Sequence, residues 1–426
     1  MTIRNLYPDI KPTLNLNFAK VKALDPRITF TRASGATYYD VDGLLRTAVN
    51  NQARFDHDPF TGESLGLLIE EQRTNLALRS EQFDDAYWTK SNSTITSNAL
   101  IAPDGTLTAD KLVENTAASA HLFFRGGIAS TATTFTASIY VKAAERSLLR
   151  IEARNENTPT VGGSNIDFNL ATGTVQLISN YGGGVGQGTI TDVGNGWYRC
   201  TSAVTVNTAG TTLVMAVYLG TTVFSYTGDG TSGLFIWGAQ LEAGAFPTSY
   251  IKTEGSQATR LEDAASMTGT NFSSWYRQDE GTFCTESKWF AKRPSSAINY
   301  TFLVNNLSGS SAVSTGGIGL WNWSGSDSFN GYIFNNSGSN VWNPSISEAQ
   351  ANSTLISMTK QALAYKLMDS AIVANGFVNA TAQPSSMPTT LSVLNLAIGT
   401  AKTQHINRIS YYPQRLTNTQ LQALTR

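Results

Sequence analysis

The sequence predicts an all-β protein: two β-sandwich domains of the jelly-roll kind, preceded by a short hairpin-rich N-terminal collar and closed by a short C-terminal helix. Three observations carry this. Charged residues make up only 14% of the 426 residues, well below the roughly 25% usual for soluble domains. Ser and Thr number 93, and with 36 Gly they supply hydroxyl-rich strands and turns in place of ionic helix faces. Between residues 75 and 264, apolar side chains recur with the strict alternation of strands buried on one face.

The collar, residues 1–74, alternates short apolar runs with turn signals. Tyr38-Tyr39 and Leu44-Leu45 flank Asp42-Gly43, a hairpin signature. Residues 54–59, followed by Thr61-Gly62-Glu63-Ser64 and residues 65–69, read the same way, with a longer turn. In the second unit, residues 75–264, Phe135, Ala137, Ile139 and Val141 point one way and Thr136, Ser138 and Tyr140 the other. Leu149, Ile151 and Ala153 alternate with Arg150, Glu152 and Arg154, which suits a surface ion-pair ladder. Further strands are expected at 166–170, 175–177, 197–206, 213–219 and 234–241, joined by Gly-rich turns such as 182–184. The third unit, residues 265–426, holds strand candidates at 281–290, 298–304, 318–323, 331–335, 362–368 and 406–412. Thr417-Asn418-Thr419-Gln420 is a capping-box pattern, with Leu416 and Leu421 placed as its hydrophobic staple, so a helix is expected to end the chain.

Several function classes are set aside by composition. A net charge of −1 without a basic block removes the phosphate-neutralising basis of nucleic-acid binding. No apolar run approaches the roughly 18 residues of a membrane span, and residues 1–10 lack a signal-peptide core, so neither membrane insertion nor export is expected. Cys200 and Cys284 are the only cysteines; neither a disulfide framework nor a Cys-based zinc site is available, and both are expected as buried strand residues.

Candidate chemistry is sparse, and no catalytic residue, metal ligand or cofactor is assigned. The three histidines, His57, His121 and His405, fit no nucleophile or metal motif. Asp56-His57-Asp58, followed by Pro59 and Gly62, reads as a solvated hairpin turn, and Asp40-Val41-Asp42-Gly43 as a turn that lacks the closing Glu of a calcium loop. Glycoside hydrolysis needs two carboxyls facing one cleft; the adjacent pairs Glu70-Glu71, Asp84-Asp85 and Glu262-Asp263 would point to opposite faces. Five of the eight tryptophans lie in the third unit. Trp321 and Trp323, with Asn322, Asp327 and Asn330, would suit a glycan groove in which flat rings stack on sugar C–H faces. The competing reading places the Trp321/Trp323 face in the core, as expected for Trp197 and Trp237.

Residues 24–34 (LDPRITFTRAS), 53–59 (ARFDHDP), 62–70 (GESLGLLIE) and 73–76 (RTNL) together resemble a family of tailed-bacteriophage and prophage virion proteins. Residues 102–106, 108–112, 195–199 and 236–242 are similar to the carbohydrate-binding-module-like jelly roll of such proteins, and residues 406–416 to the end of their concanavalin A-like, laminin-G-like modules. The resemblance implies a non-enzymatic structural component of a tail fibre, tailspike or head spike. It would lie on the exterior of the particle, be made in the host cytoplasm, form a homotrimer with other virion proteins as neighbours, and contact host surface polysaccharide. A capsid-decoration or baseplate component and a glycan depolymerase are the alternatives. Calcium accompanies some laminin-G-like modules, but no acidic cluster presents itself to hold it.

Overall fold

The computed structural model describes residues 6–156, 162–208, 210–290, 299–323, 327–354, 356–380, 383–399 and 402–426. The architecture is all-β, with antiparallel sheets stacked into two sandwiches and, among the described residues, four short helices.

The middle sandwich pairs two six-stranded sheets. One runs Val185–Asp192, Trp197–Thr205, Thr134–Ala143, Gly233–Ala243, Ala109–Glu114, Ser93–Leu100; the other runs Thr174–Tyr181, Gly163–Asn169, Leu148–Asn155, Thr212–Gly220, Leu122–Ala129, Thr89–Ser91. Phe135, Ile139 and Val141 meet Leu149, Ile151, Phe168 and Val217 between the sheets, all fully buried. The second face of Thr134–Ala143 is buried too, contrary to the half-buried reading, because the first hairpin and residues 244–250 cover it. Thr136 Oγ1 donates to the Gly244 carbonyl, and Tyr140 packs with Trp237, Tyr250 and Leu45.

The second sandwich is assembled from both ends of the chain. Its first sheet has the order Phe377–Asn379, Ala371–Ala374, Thr359–Lys366, Glu280–Trp289, Gln404–Tyr412, Ser64–Ile69, Arg54–His57, with Leu14–Asn17 also paired to Gln404–Tyr412. The other has Thr29–Thr31, Ala264–Thr268, Val393–Gly399, Asn299–Asn305, Gly317–Trp323, Ser328–Phe334, Asn340–Trp342, with Ser345–Ser347 on Ser328–Phe334. Leu14 lies opposite Tyr411, Leu67 opposite Ile406 and Thr29 opposite Ser266. Leu14, Leu16, Phe18, Leu67 and Ile69 share one core with Phe283, Phe302, Leu363 and Tyr411. Of the residues read as a collar, Leu14–Asn17, Thr29–Thr31, Arg54–His57 and Ser64–Ile69 are thus strands of the C-terminal sandwich, whereas Ala36–Tyr39 and Leu45–Ala48 pair with each other. Local pattern shows that they are strands but not which distant edge they join.

The chain leaves this sandwich after Ser64–Ile69 and re-enters it at Ala264–Thr268, the outgoing strand Arg73–Asn75 pairing with the returning strand Ala258–Arg260. At the crossing, Arg54 donates to Glu70 at 2.6 Å and to Asp263 at 2.5 Å, Arg32 reaches Asp263 at 3.0 Å, and Arg260 lies 3.3 Å from Glu70. Ser249, from the returning segment, gives Glu70 both its N–H and its hydroxyl. All five ionic side chains are sealed from solvent, with side-chain exposures of 0–1%. Burial alone would raise the Glu70 carboxyl, but Arg260, Arg54 and the Ser249 hydroxyl hold it down at about 2.

The helix Asn418–Thr425 closes the chain. Thr417 accepts from the Gln420 N–H while the Gln420 side chain accepts from the Thr417 N–H, and Leu416 and Leu421 pack on the outer face of the first sheet with Ala362, Val373 and Tyr412.

Candidate functional site

The strand Gly317–Trp323 sends Ile318 and Leu320 into the sandwich core and Trp321 to the opposite face. That outer face is closed over Trp321, which is 4% exposed. Its ring lies 4.7 Å from Tyr332, tilted by 52°, and packs with Tyr300, Leu303 and Ile398. Tyr332 in turn stacks on Phe334 at 4.7 Å and 13°. The rings spend their faces on one another, so the groove expected from Trp321 is an outer-face apolar cluster. Asn330 sits opposite Trp321 in register, is buried, and donates from Nδ2 to the Ser328 carbonyl at 3.0 Å. Asp327 is exposed at the turn before Ser328. Asn322 and Trp323 lie opposite Phe329 and Ser328, but their side chains fall outside the described residues.

Asp56 and His57 are not in a solvated turn: both are buried strand residues, Asp56 accepting from the Tyr39 N–H and from His405 Nε2 at 2.8 Å, because the first hairpin folds over them. The turn begins at Asp58, whose carboxylate accepts from the N–H groups of Phe60 and Thr61. Cys200 is fully buried, but Cys284 is half-buried and lines a cavity of about 150 Å³ beside Tyr412 and Leu424 of the closing segment. By contrast, Arg150 pairs with Asp167 at 2.6 Å and Arg154 with Glu152 at 3.2 Å, the surface ladder that the alternation describes. Trp197 and Trp237 are 2% and 1% exposed.

An open polar cleft lies elsewhere, on the edge of the middle sandwich, with a volume of about 250 Å³. One wall is the segment carrying Glu81, Gln82 and Asp84; the other is the free edge of Ser93–Leu100 at Ser97 and Asn98; Lys252 and Glu254 close it. Asp110 fixes the walls to each other, its two oxygens accepting from the Phe83 N–H at 3.0 Å and the Asn98 N–H at 2.9 Å. The backbone is shaped for this. Pairing slips between Ala109 and Lys111, and Asn98 turns left-handed at φ 52°. Burial pushes the Asp110 carboxyl up to about 6, against the pull of the two N–H groups, with Asp84 and Glu81 adding to the rise. Glu81 is held by the Tyr250 hydroxyl at 2.9 Å and by Lys252 at 2.7 Å. Gln82, Asp84, Lys252 and Glu254 are exposed, so amide, carboxylate and ammonium groups project into the opening. No sequence pattern unites residues 81–84, 97–98, 110 and 252–254. Asp110 shares the strand Ala109–Glu114 with Lys111 and Glu114, so nothing in the local pattern singles it out.

Such fixed hydrogen-bonding groups around an open hollow are equipped to recognise hydroxyl-bearing ligands. Acid catalysis is a harder demand: the group with a raised proton affinity, Asp110, is 1% exposed with both oxygens occupied, whereas a general acid must reach the leaving oxygen. Among the described residues, no three His, Cys, Asp or Glu side chains are grouped to hold a metal ion. A broader groove of about 510 Å³ over the N-terminal hairpins is lined by Leu24, Tyr38, Val41, Ala53 and Phe55 together with Lys22, Asp40, Gln52 and His57.

No family model and no curated protein sequence matches the chain. Among solved structures, the chain is similar to the CBM40 module of the Ruminococcus gnavus IT-sialidase bound to α2,3-sialyllactose, at 18% identity and a TM-score of 0.28 over 35% of this chain and 84% of that one. A leech intramolecular trans-sialidase gives 17% identity and 0.28 over 35% of this chain and 23% of that one. Trypanosoma rangeli sialidase in complex with 2,3-difluorosialic acid gives 8% identity and 0.27 over 79% and 62%. At these identities and scores the likeness is one of β architecture and assigns no ligand.

Proposed function

We propose that this chain is a non-enzymatic structural component of a phage particle, borne on a fibre or spike, whose middle sandwich contacts host surface glycan through the cleft beside Asp110. The virion part rests on the resemblance of residues 24–76 and of the later blocks. The cleft carries the binding part: an open hollow with exposed Gln82, Asp84, Lys252 and Glu254 on walls locked by a buried carboxylate. The C-terminal sandwich then serves as the structural body, since the Trp321 cluster is closed.

A depolymerase is the second reading, and one observation favours it: Glu81, Asp84, Asp110 and Glu254 all line one cleft. It is the weaker reading, because Glu81 and Asp110 are tied into fixed bonds.

Host polysaccharide immobilised on a column separates the readings. Wild type is expected to be retained, and Gln82→Ala and Glu254→Ala are expected to lose retention about tenfold or more with an unchanged melting transition, both being surface positions. Variants retained like wild type would overturn the cleft assignment. Release of new reducing ends by wild type, abolished in Asp84→Asn, would replace the binding protein with an enzyme.

A further inference from the structure

We propose that the edge strand Thr174–Tyr181 of the middle sandwich pairs antiparallel with the same strand of a second copy of this chain, joining the two sheets into one. Among the described residues the strand is bonded on one side only, to Gly163–Asn169. It is eight residues long and exposed along most of its length. Leu177 is 51% exposed and Ile178 42%, and as neighbours they bring apolar surface to both faces of the edge; Val185, just past the turn, is 61% exposed. From residue 168 to residue 191 the chain has no Asp, Glu, Lys, Arg or His.

Long apolar edges recruit strands, and proteins ordinarily blunt them with charge, shortness or irregularity. The other edges here are blunted. Thr29–Thr31, Thr89–Ser91, Asn340–Trp342, Ser345–Ser347 and Phe377–Asn379 have three residues each, and Leu14–Asn17 has four. Arg54–His57 carries three ionisable side chains already engaged inside the protein. On Ser93–Leu100 the Asn98 N–H is given to Asp110, and on Val185–Asp192 the Gly186 N–H is given to Asn180. Thr174–Tyr181 has a pairing slip opposite Asp167 and Phe168, but the run from Leu177 to Tyr181 is in unbroken register. Among the described residues, none of its N–H groups is taken by a side chain.

An identical strand is the partner this edge fits. With no charge on either copy, like meets like without repulsion, and antiparallel addition about a two-fold axis at Leu177 sets Leu177 opposite its own counterpart and Ile178 diagonal to its own. Eight residues span about 27 Å, and with side chains on both faces the contact comes to roughly 1,000 Å², the lower limit for a specific interface. The expected association is therefore weak, with a dissociation constant of about 1–100 µM.

Sedimentation equilibrium of the full chain across that range, with amide hydrogen exchange at both ends of it, tests the pairing. Wild type should move from monomer to dimer, and the amides of 174–181 should exchange more slowly at the higher concentration. Leu177→Lys and Ile178→Lys should each raise the dissociation constant more than about tenfold, with Leu177→Lys, on the outer face, securing the result if Ile178→Lys misfolds. Val41→Lys, at an exposed site on the first hairpin, should change nothing. A monomeric wild type, association that survives both lysines, or equal loss in Val41→Lys would each overturn the proposal; a monomer would leave the edge to another protein.

Discussion

Glu70 shows how a residue that looks chemical in the sequence becomes structural in the fold. Its carboxylate is reached by Arg54, Arg260 and Ser249, from three separate chain segments. Replacing it by Gln leaves buried guanidinium groups uncompensated, and the expected loss is about 3–5 kcal/mol in chemical denaturation. The pH dependence has a defined sign. Because folding lowers this carboxyl from 4.5 to about 2, its stabilisation is complete above pH 4.5 and is lost as the pH falls toward 2. Glu70→Gln should therefore be less stable at neutral pH and show a shallower acid loss between those values; a parallel acid profile would contradict the account. Residue by residue, the sequence was legible where one strand's alternation decides the answer, as for Trp197, Trp237 and the Arg150/Glu152/Arg154 ladder. It was not where a remote segment covers the side chain, as the first hairpin covers Asp56 and residue 403 covers Glu71.

At the scale of elements, period-2 patterning located most strands of both sandwiches, and the capping box located the final helix. Partners were less legible. Gln404–Tyr412 lies between Glu280–Trp289 on one side and Leu14–Asn17 with Ser64–Ile69 on the other. Its N-terminal partners thus lie more than 300 residues away along the chain, and nothing local in a strand names its neighbour. The consequence is testable. A chain lacking residues 1–74 would strip Leu14, Leu16, Phe18, Leu67 and Ile69 from the core. At about 1.5–3 kcal/mol for each buried side chain, the C-terminal sandwich is expected to be unfolded by circular dichroism and aggregation-prone. A cooperative melt of residues 265–426 in that truncation would contradict the shared sandwich. The cleft was illegible for the same reason, since its walls come from residues 81–84, 97–98 and 252–254, joined by one buried carboxylate.

The whole molecule is a sandwich that opens to admit a second one. The two are held together by a paired crossing and by a sealed cluster in which three arginines share two carboxylates. Low charge and hydroxyl-rich strands, read from composition, fit this layout. The layout, a C-terminal sandwich with Trp321 buried in an outer-face cluster and a middle sandwich with an open polar cleft, emerges only from the assembled chain. A cryo-EM reconstruction of the particle would test the central claim most directly. The chain is expected on a fibre or spike with the cleft of Gln82 and Glu254 facing outward into solvent; that cleft buried against another virion protein, or the chain absent from the particle, would overturn the proposed role.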